Sequence, residues 1–314
     1  MRILAVDDDP VVLDLLKVIL KQEGHDEVVV AGSGPAALDI LVRDDRGFDV
    51  LVLDIAMPGM DGVVLCREIR KLRYYADTPI IMLTAHSDSR SIESAFGAGA
   101  NDYITKPFDI KGIGIRLQIA ERMMAENRIT LDINALQSKL DGPEGQHCFA
   151  LEDAVCLRGV KQHTDVFSLG NYLSTMERYR VDETSVFAGQ IQSFDALYRS
   201  CTEQELATVL SEVWNSISAA ADNTRLLGSY VGSGTFILIA ACSIQDEWLG
   251  LEPTIKTILA ASPSLKKASL GCPVAVVLGR PFRPNASKTK RVKPTFDRAR
   301  QLLQKRLEMD AASG

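Results

Sequence analysis

The 314-residue sequence lacks any apolar run long enough to cross a membrane and any cysteine spacing typical of a metal site. The longest apolar runs, such as FILIAAC at 236–242, fall far short of the ~18 residues that a membrane span needs. The start, MRILAVDDDP, becomes acidic too early for a signal peptide. Six cysteines without C-x-x-C spacing and four scattered histidines predict reduced thiols rather than disulfides or zinc. We therefore expect a cytoplasmic protein with no membrane partner.

Excess positive charge is also missing, and the balance differs between the two parts of the chain. Residues 1–125 contain 14 Lys and Arg against 20 Asp and Glu, whereas residues 126–314 contain 21 of each. An acidic first part and a neutral second part argue against a general nucleic-acid binder. The length allows two domains, each with a sizeable core.

Five apolar segments of strand length alternate with helix-period segments over the first 110 residues. They read RILAV, EVVVA, DVLVLD, PIIMLTA and DYITK. This alternation predicts a doubly wound α/β fold with a parallel sheet covered by helices on both faces. In such sheets the functional residues gather at the carboxyl ends of the strands.

Polar residues follow four of these strands. Asp7 and Asp8 follow the first, Asp54 the third, Thr84 the fourth and Lys106 the fifth. Three carboxylates crowded at one edge repel each other, and a hard divalent cation such as Mg²⁺ would neutralise them. A nearby lysine and hydroxyl are suited to contacting a transferred phosphoryl group. A single acid after a strand is usually only solvated, but five such residues together indicate a site.

These motifs closely resemble those of the receiver domain of two-component response regulators, over about residues 1–125. The motifs that match are VDDDP, LDIAMPGMDG, LTA and YITKPF. The resemblance implies a flavodoxin-like five-stranded fold, with Asp54 phosphorylated by a sensor histidine kinase or a phosphotransfer protein. It also implies Mg²⁺ or Mn²⁺ at the two acids after strand one, at the phosphoacceptor and at the Ala56 carbonyl. The implied phosphoryl-contacting and switch residues are Thr84, Ala85, Tyr103, Lys106 and Pro107, the last two joined by a cis peptide bond.

An extended signalling helix is expected over 110–141, because Ile129, Ile133, Leu136 and Leu140 form one apolar stripe. The stripe would support either packing onto the next domain or a short parallel coiled coil. The segment DGPEGQ at 141–146 then ends the helix. We expect an output domain over 146–308, followed by a tail at 309–314.

The second domain is predicted to be an α+β layer in which long helices cover one face of a small sheet. Its order resembles the catalytic palm of class III nucleotide cyclases and of GGDEF diguanylate cyclases. Through this resemblance GQIQSFDAL and YVGSGTF correspond to the two metal-binding strands, and FDRARQL to a catalytic helix. The positions of the families' functional residues carry Gln190, Ser229, Ser233, Gly234, Asp297 and Gln301.

Glutamine and serine in place of two metal carboxylates predict that this palm does not catalyse. Two-metal catalysis needs carboxylates to hold both ions, and neutral side chains bind hard cations poorly. Asp195 could substitute only if the strand register shifted. We therefore expect a pseudoenzyme with no cofactor in the second domain, acting by binding or dimerisation. The alternatives are a phosphorylation-regulated nucleotide or diguanylate cyclase and a DNA-binding regulator.

Ten Lys and Arg stand between Arg280 and Arg306 against one acid, Asp297. A solvated helix face with a basic loop is the simplest interpretation. A site for a phosphorylated ligand such as a nucleotide comes next, and DNA contact last, because no helix-turn-helix pattern is present. The expected partners are thus the kinase, a second copy of the chain, a downstream protein and a nucleotide ligand, with nucleic acid not expected.

Overall fold

The computed structural model describes residues 1–85, 89–108, 110–125, 129–136, 142–221, 226–240, 248–268, 273–287 and 291–313. The chain divides into two compact units, Met1–Asn127 and Arg128–Gly314. Each has a sheet and a hydrophobic core of its own. Within the described residues, no helix combines the length and hydropathy needed to cross a bilayer.

The first unit is a five-stranded parallel sheet in the order β2-β1-β3-β4-β5. Its strands are β1 (Arg2–Val6), β2 (Glu27–Ala31), β3 (Val50–Asp54), β4 (Ile80–Thr84) and β5 (Asp102–Thr105). The helices between and after them are α1 (Pro10–Gln22), α2 (Gly34–Arg43), α3 (Gly62–Lys71), α4 (Ser89–Gly97) and α5 (Ile110–Ala125). The flavodoxin-like expectation for this unit is confirmed.

The local sequence explains where these elements begin. Asp9, Ser33 and Asp61 cap α1, α2 and α3, and each side chain accepts a hydrogen bond from a backbone amide in the first turn. All residues of β3 and β4 are buried, as expected for central parallel strands made of Val, Ile and Leu. The carboxyl ends of β1, β3, β4 and β5 therefore lie along one edge of a rigid sheet.

The continuous helix expected over 110–141 is wrong. Helix α5 is followed by a strand, β6 (Ile129–Asp132), and one helical turn, α6 (Ile133–Leu136), both in the second unit. The apolar stripe does not indicate a helix here, because half-buried Ile129 lies on a strand, whereas buried Ile133 and Leu136 lie on a separate helical turn. Leu140 lies outside the described residues. Since β6 pairs within the second sheet, that unit begins well before residue 146.

The second unit is built on a six-stranded sheet in the order β11-β8-β10-β9-β7-β6. The remaining strands are β7 (Val155–Arg158), β8 (Ser185–Ile191), β9 (Leu226–Tyr230), β10 (Thr235–Ala240) and β11 (Val276–Leu278). The helices are α7 (Val166–Thr175), α8 (Arg178–Glu183), α9 (Phe194–Ser200), α10 (Glu203–Ala220), α11 (Trp248–Ala261), α12 (Pro263–Lys267) and α13 (Val292–Ser313).

The path from β8 to β11 has the β-α-β-β-α-β order of a split βαβ fold. Neighbouring strands in the series β11, β8, β10 and β9 are antiparallel, and β9 and β10 form a hairpin.

Helices cover both faces of this sheet, not one face as expected. Helices α10 and α11 pack on one face, where Trp214 lies in the core beside Phe236. Helices α7 and α13 pack against β9 and β8. The second covered face explains why β8 and β10 are buried along nearly their whole length and read as continuous apolar runs.

Candidate functional site

The acidic edge of the first unit is formed by the ends of β1 and β3. These strands pair in parallel, with Val6 opposite Leu53, so Asp7 and Asp54 come side by side. Both carboxylates are buried, whereas Asp8 is exposed. One ligand oxygen from each of the three lies within 4.8 Å of the others. An all-oxygen, partly open set of this kind is suited to Mg²⁺.

Lys106 joins the two buried carboxylates. Its Nζ lies 2.6 Å from Asp7 Oδ2 and 2.7 Å from Asp54 Oδ1. The lysine follows β5, the edge strand next to β4, and its amide donates to the Thr84 carbonyl at 2.7 Å. The register of β4 and β5 thus brings this cation to the acidic edge.

Burial and charge shift the acid–base properties of this pair. Burial raises the pKa of Asp54 above its ordinary value, and the hydrogen bond from Lys106 opposes the rise. Burial would lower the pKa of Lys106, but its hydrogen bonds to Asp54 and Asp7 outweigh burial and the pKa rises. The lysine is therefore charged at neutral pH and fixed beside Asp54.

The backbone after Asp54 turns tightly around its carboxylate. The Ala56 amide donates to Asp54 Oδ2 at 2.8 Å, which fixes the carboxylate orientation; the Ala56 carbonyl as a metal ligand stays a prediction. Gly62, the first residue of α3, approaches so closely that a Cβ there would collide with the Asp54 carbonyl oxygen. A role for Gly62 was not predicted from the sequence, although this glycine directly follows the capping residue Asp61.

The remaining predicted residues lie around the same edge. Thr84 ends β4 and is buried, and Ala85 after it is exposed. The Tyr103 ring on β5 is buried and packs edge-on against Phe96, with 6.3 Å between ring centroids. The Lys106–Pro107 peptide bond is cis. The structure brings Asp7, Asp8, Asp54 and Lys106 together, with Thr84 at the adjacent strand end.

Comparison with known proteins agrees with this geometry. The profile of the family described as "Response regulator receiver domain" matches residues 3–118. Residues 3–118 are a receiver domain. Receiver domains bind Mg²⁺ through such an acidic pocket and are phosphorylated by histidine kinases or phosphotransfer proteins.

Two curated relatives match this receiver domain. The DNA-binding response regulator MtrA of Mycolicibacterium smegmatis is 41% identical over 117 residues, which are 37% of this chain and 49% of MtrA. The transcriptional regulatory protein YvrH of Bacillus subtilis is 38% identical over 116 residues, 37% of this chain and 47% of YvrH. The chain thus spans about half the length of the curated relatives it matches.

Two solved structures are similar over the same region. The chemotaxis protein CheY4 of Vibrio cholerae is 31% identical, with a TM-score of 0.35, covering 37% of this chain and 95% of CheY4. A CheY-like receiver domain protein of Methanospirillum hungatei is 31% identical, with a TM-score of 0.37, covering 40% of this chain and 98% of that protein.

The predicted palm positions of the second unit are only partly brought together. Gln190 on β8 donates through Nε2 to the Ser233 carbonyl at 3.1 Å. Ser233 and Gly234 form the tip of the β9–β10 hairpin, both with positive φ. Ser229 is buried within β9. Gln190 and Ser233, the two neutral residues at the predicted metal positions, are thus joined by a hydrogen bond.

The hairpin tip is packed against its surroundings. The Ser233 amide donates to the Leu151 carbonyl at 2.7 Å, and the Gly234 amide donates to the Tyr230 hydroxyl at 3.1 Å. A Cβ at Gly232 would collide with the Glu152 carbonyl oxygen, and one at Gly234 with the Phe194 ring. Two tip amides are thus engaged by the protein itself.

The other predicted positions lie apart from this tip. Asp297 and Gln301 lie on the outward side of α13, along a shallow depression that also includes Lys293 and Lys305. Asp195 is exposed on α9 and lies 3.7 Å from Arg199. Within the described residues, the acidic edge of the receiver domain is the one carboxylate cluster with the geometry of a metal site.

The basic segment contains two kinds of cation. Arg291 is buried, and its guanidinium donates to backbone carbonyls of Leu173, Met176, Asn285 and Ala286, which ties the loop before α13 to the end of α7. Burial lowers its pKa. The exposed cations are Arg280, Arg283, Lys293, Arg298, Arg300 and Lys305, and no ion pair with them occurs among the described residues. Arg298 stacks over the Phe282 ring at 4.7 Å.

Proposed function

We propose that the chain is a response regulator in which phosphorylation of Asp54 controls a second unit that acts by binding. The observation that carries this proposal is the contact of one lysine with two buried carboxylates at the sheet edge. Lys106 lies 2.7 Å from Asp54 Oδ1, so a cation already stands where a phosphoryl oxygen would be added.

The chemistry is a phosphoryl transfer from a donor phosphohistidine. The P–N bond breaks and leaves its electron pair on the imidazole nitrogen, and an Asp54 carboxylate oxygen forms the new P–O bond. Lys106 holds a phosphoryl oxygen, and the Thr84 hydroxyl can donate to another. When bound at Asp7, Asp8 and Asp54, Mg²⁺ supplies neutralisation of the added negative charge.

The surface beside the site offers a place for the donor protein. Helix α1 begins directly after the acidic residues and exposes an apolar stripe of Val11, Leu15 and Val18. Large apolar side chains exposed in a row support protein contact. A histidine kinase or phosphotransfer protein docked there would place its phosphohistidine at the same edge.

The test is phosphorylation by acetyl phosphate in Mg²⁺, measured by intact mass and site mapping. We expect one phosphoryl group on Asp54 and none in Asp54→Asn. Asp8→Asn should lower the rate through loss of a metal ligand, and raised Mg²⁺ should restore it only weakly. Label on another residue in the wild type, or label that survives in Asp54→Asn, would contradict the assignment.

For the second unit we propose a pseudo-cyclase that binds a partner or a second copy of the chain. The β-α-β-β-α-β order and the β9–β10 hairpin support descent from a cyclase palm. The Gln190–Ser233 hydrogen bond and the engaged tip amides support binding rather than catalysis. A pull-down with phosphorylated chain, using Asp54→Asn as control, should recover a partner or a second copy in a phosphorylation-dependent way.

The enzyme alternative, a phosphorylation-regulated nucleotide or diguanylate cyclase, is tested directly. Phosphorylated chain is incubated with ATP or GTP and with Mg²⁺ or Mn²⁺, and the products are separated by chromatography. We expect no cyclic product, because neutral side chains cannot hold two catalytic ions. A cyclic product made by the wild type and not by Gln190→Ala would replace the pseudo-cyclase proposal.

A DNA-binding regulator is the second candidate, favoured by the exposed cations of residues 280–305. MtrA carries DNA binding in its name, but the match to it covers the receiver domain. Duplex binding should be measured by fluorescence anisotropy at 50 and 200 mM salt, because phosphate contacts make affinity fall steeply with salt. Unchanged binding in a Lys293→Glu, Lys305→Glu double variant would exclude this surface.

A further inference from the structure

We propose that strand β6 is the element through which phosphorylation acts on the second unit, and that phosphorylation loosens its pairing with β7. The inference rests on the proposed phosphorylation of Asp54 and adds the route by which it is transmitted. It replaces the continuous signalling helix that was expected over 110–141.

One continuous stretch of chain connects the phosphoacceptor to β6. Lys106, which contacts Asp54, stands four residues before the start of α5. Arg116 on α5 lies 2.9 Å from the buried Asp102 on β5, so the helix is tied to the strand that Lys106 follows. Residues 126–128 separate the end of α5 from β6. A shift at Lys106 would therefore enter α5, and three residues of sequence separate the end of this helix from β6.

Strand β6 is integrated into the second unit as an edge strand of its sheet. It pairs with β7 over four residues, from Ile129–Val155 to Asp132–Arg158. Leu131 is buried in the core, and Asp132 lies 3.6 Å from Arg158. The pairing is parallel, and among the strands that the structure describes β6 is the last of the sheet. Edge strands in short parallel pairings are among the least costly elements of a sheet to release.

Loosening β6 would reach the hairpin tip through two further contacts. Val155 on β7 pairs with Tyr230 on β9, and the Tyr230 hydroxyl accepts the hydrogen bond from the Gly234 amide. The next amide, that of Ser233, is bonded to Leu151, which lies in the segment before β7. The tip and the strand beside β6 are thus connected by packed, hydrogen-bonded groups.

Because the pairing of β6 with β7 is short and lies at the sheet edge, we expect the signal to weaken it. The test is hydrogen exchange of the full chain, read by mass spectrometry, with and without beryllofluoride and Mg²⁺. We expect exchange at 130–132 to accelerate by about 5- to 150-fold, the range of typical coupling between sites. Amides of the central strand β8 serve as the internal control and should not change.

Two further measurements separate this proposal from the proposed function. Protection of the backbone after Asp54 reports beryllofluoride binding, and Asp54→Asn should lose it together with the effect on β6. Four residues, Gly-Ser-Gly-Ser, are added within the segment between Ala125 and Ile129. This variant should keep the protection near Asp54 and lose the acceleration of exchange at β6. Protection near Asp54 with unchanged or slower exchange at β6 would overturn the β6 proposal alone. Absence of protection in the wild type would overturn both proposals.

Discussion

The charge on Lys106 offsets two carboxylates that are buried beside each other. The side chains of Asp7 and Asp54 are 1% and 4% exposed, and Lys106 is the cation in contact with both. Removing one partner of a buried ion pair leaves the remaining charge uncompensated, which is strongly destabilising. Asp7 and Asp54 therefore depend on Lys106 until a metal ion is present.

Lys106→Met should lower the free energy of unfolding of the receiver domain by about 2–3 kcal/mol in the presence of a chelator. The value lies below that for a fully buried pair because Lys106 is partly exposed. Mg²⁺ should stabilise the variant more than the wild type, since the ion takes over neutralisation. Urea unfolding followed by circular dichroism measures this. Lys71→Met, which removes an exposed pair with Glu68, is the control and should have little effect.

His163 in the second unit is a buried imidazole whose charged form has no favourable surroundings. Amides of Leu157 and Tyr230 point at its two ring nitrogens, at 3.3 and 3.1 Å. Burial lowers its pKa to about 3. The unfolded chain binds a proton near pH 6.5, whereas the folded chain does not. Stability should therefore fall as pH falls below 6.5.

Between pH 7.5 and 5.5 this histidine should reduce the stability of the second unit by about 1.4 kcal/mol, one pKa unit of linkage. Urea unfolding followed by tryptophan fluorescence measures it, because both tryptophans, Trp214 and Trp248, lie in that unit. The Trp214 ring lies edge-on to His163, with centroids 5.2 Å apart. If His163→Gln shows the same pH dependence as the wild type, the histidine is not responsible.

At the level of elements, α3 begins so close to the end of β3 that there is no room for a side chain at Gly62. Gly62→Ala should destabilise the receiver domain and slow phosphorylation of Asp54, because the collision is with backbone that cannot move aside. Stability is measured by thermal unfolding and phosphorylation by acetyl phosphate labelling. Gly32→Ala is the matched control, since a Cβ there meets nothing within 4 Å. Equal behaviour of the two variants would contradict this explanation.

The elements also show what the sequence could and could not predict. Alternating apolar and helical segments predicted the five parallel strands, most clearly β3 and β4, which are buried runs rich in Val, Ile and Leu. The polar residues at their ends predicted Asp7, Asp8, Asp54 and Lys106, which meet at one edge. The helix predicted over residues 129–132 was wrong, because a four-residue strand and a helix can bury the same pattern of Ile and Leu. Residues 129–132 form a strand because they pair with Val155–Arg158. Local periodicity does not predict such long-range pairing.

At the scale of the whole molecule, both tryptophans report on one unit and the phosphoacceptor belongs to the other. A ligand bound at Asp54 can therefore change the tryptophan unfolding transition only through coupling between the units. Coupling free energy is reciprocal: if beryllofluoride loosens β6, the folded second unit opposes its binding by the same amount.

Beryllofluoride with Mg²⁺ should thus raise the unfolding midpoint of the receiver domain and lower that of the second unit. The first effect follows because a ligand that binds only the folded state stabilises it. The free energy of unfolding of the second unit should fall by about 1–3 kcal/mol, the usual size of coupling between sites. Urea titrations read by tryptophan fluorescence for the second unit, and by hydrogen exchange for the receiver domain, give both midpoints. Asp54→Asn should abolish both shifts. A tryptophan transition that stays in place while the receiver domain is stabilised would mean that the units unfold independently, and the loosening of β6 would then be excluded.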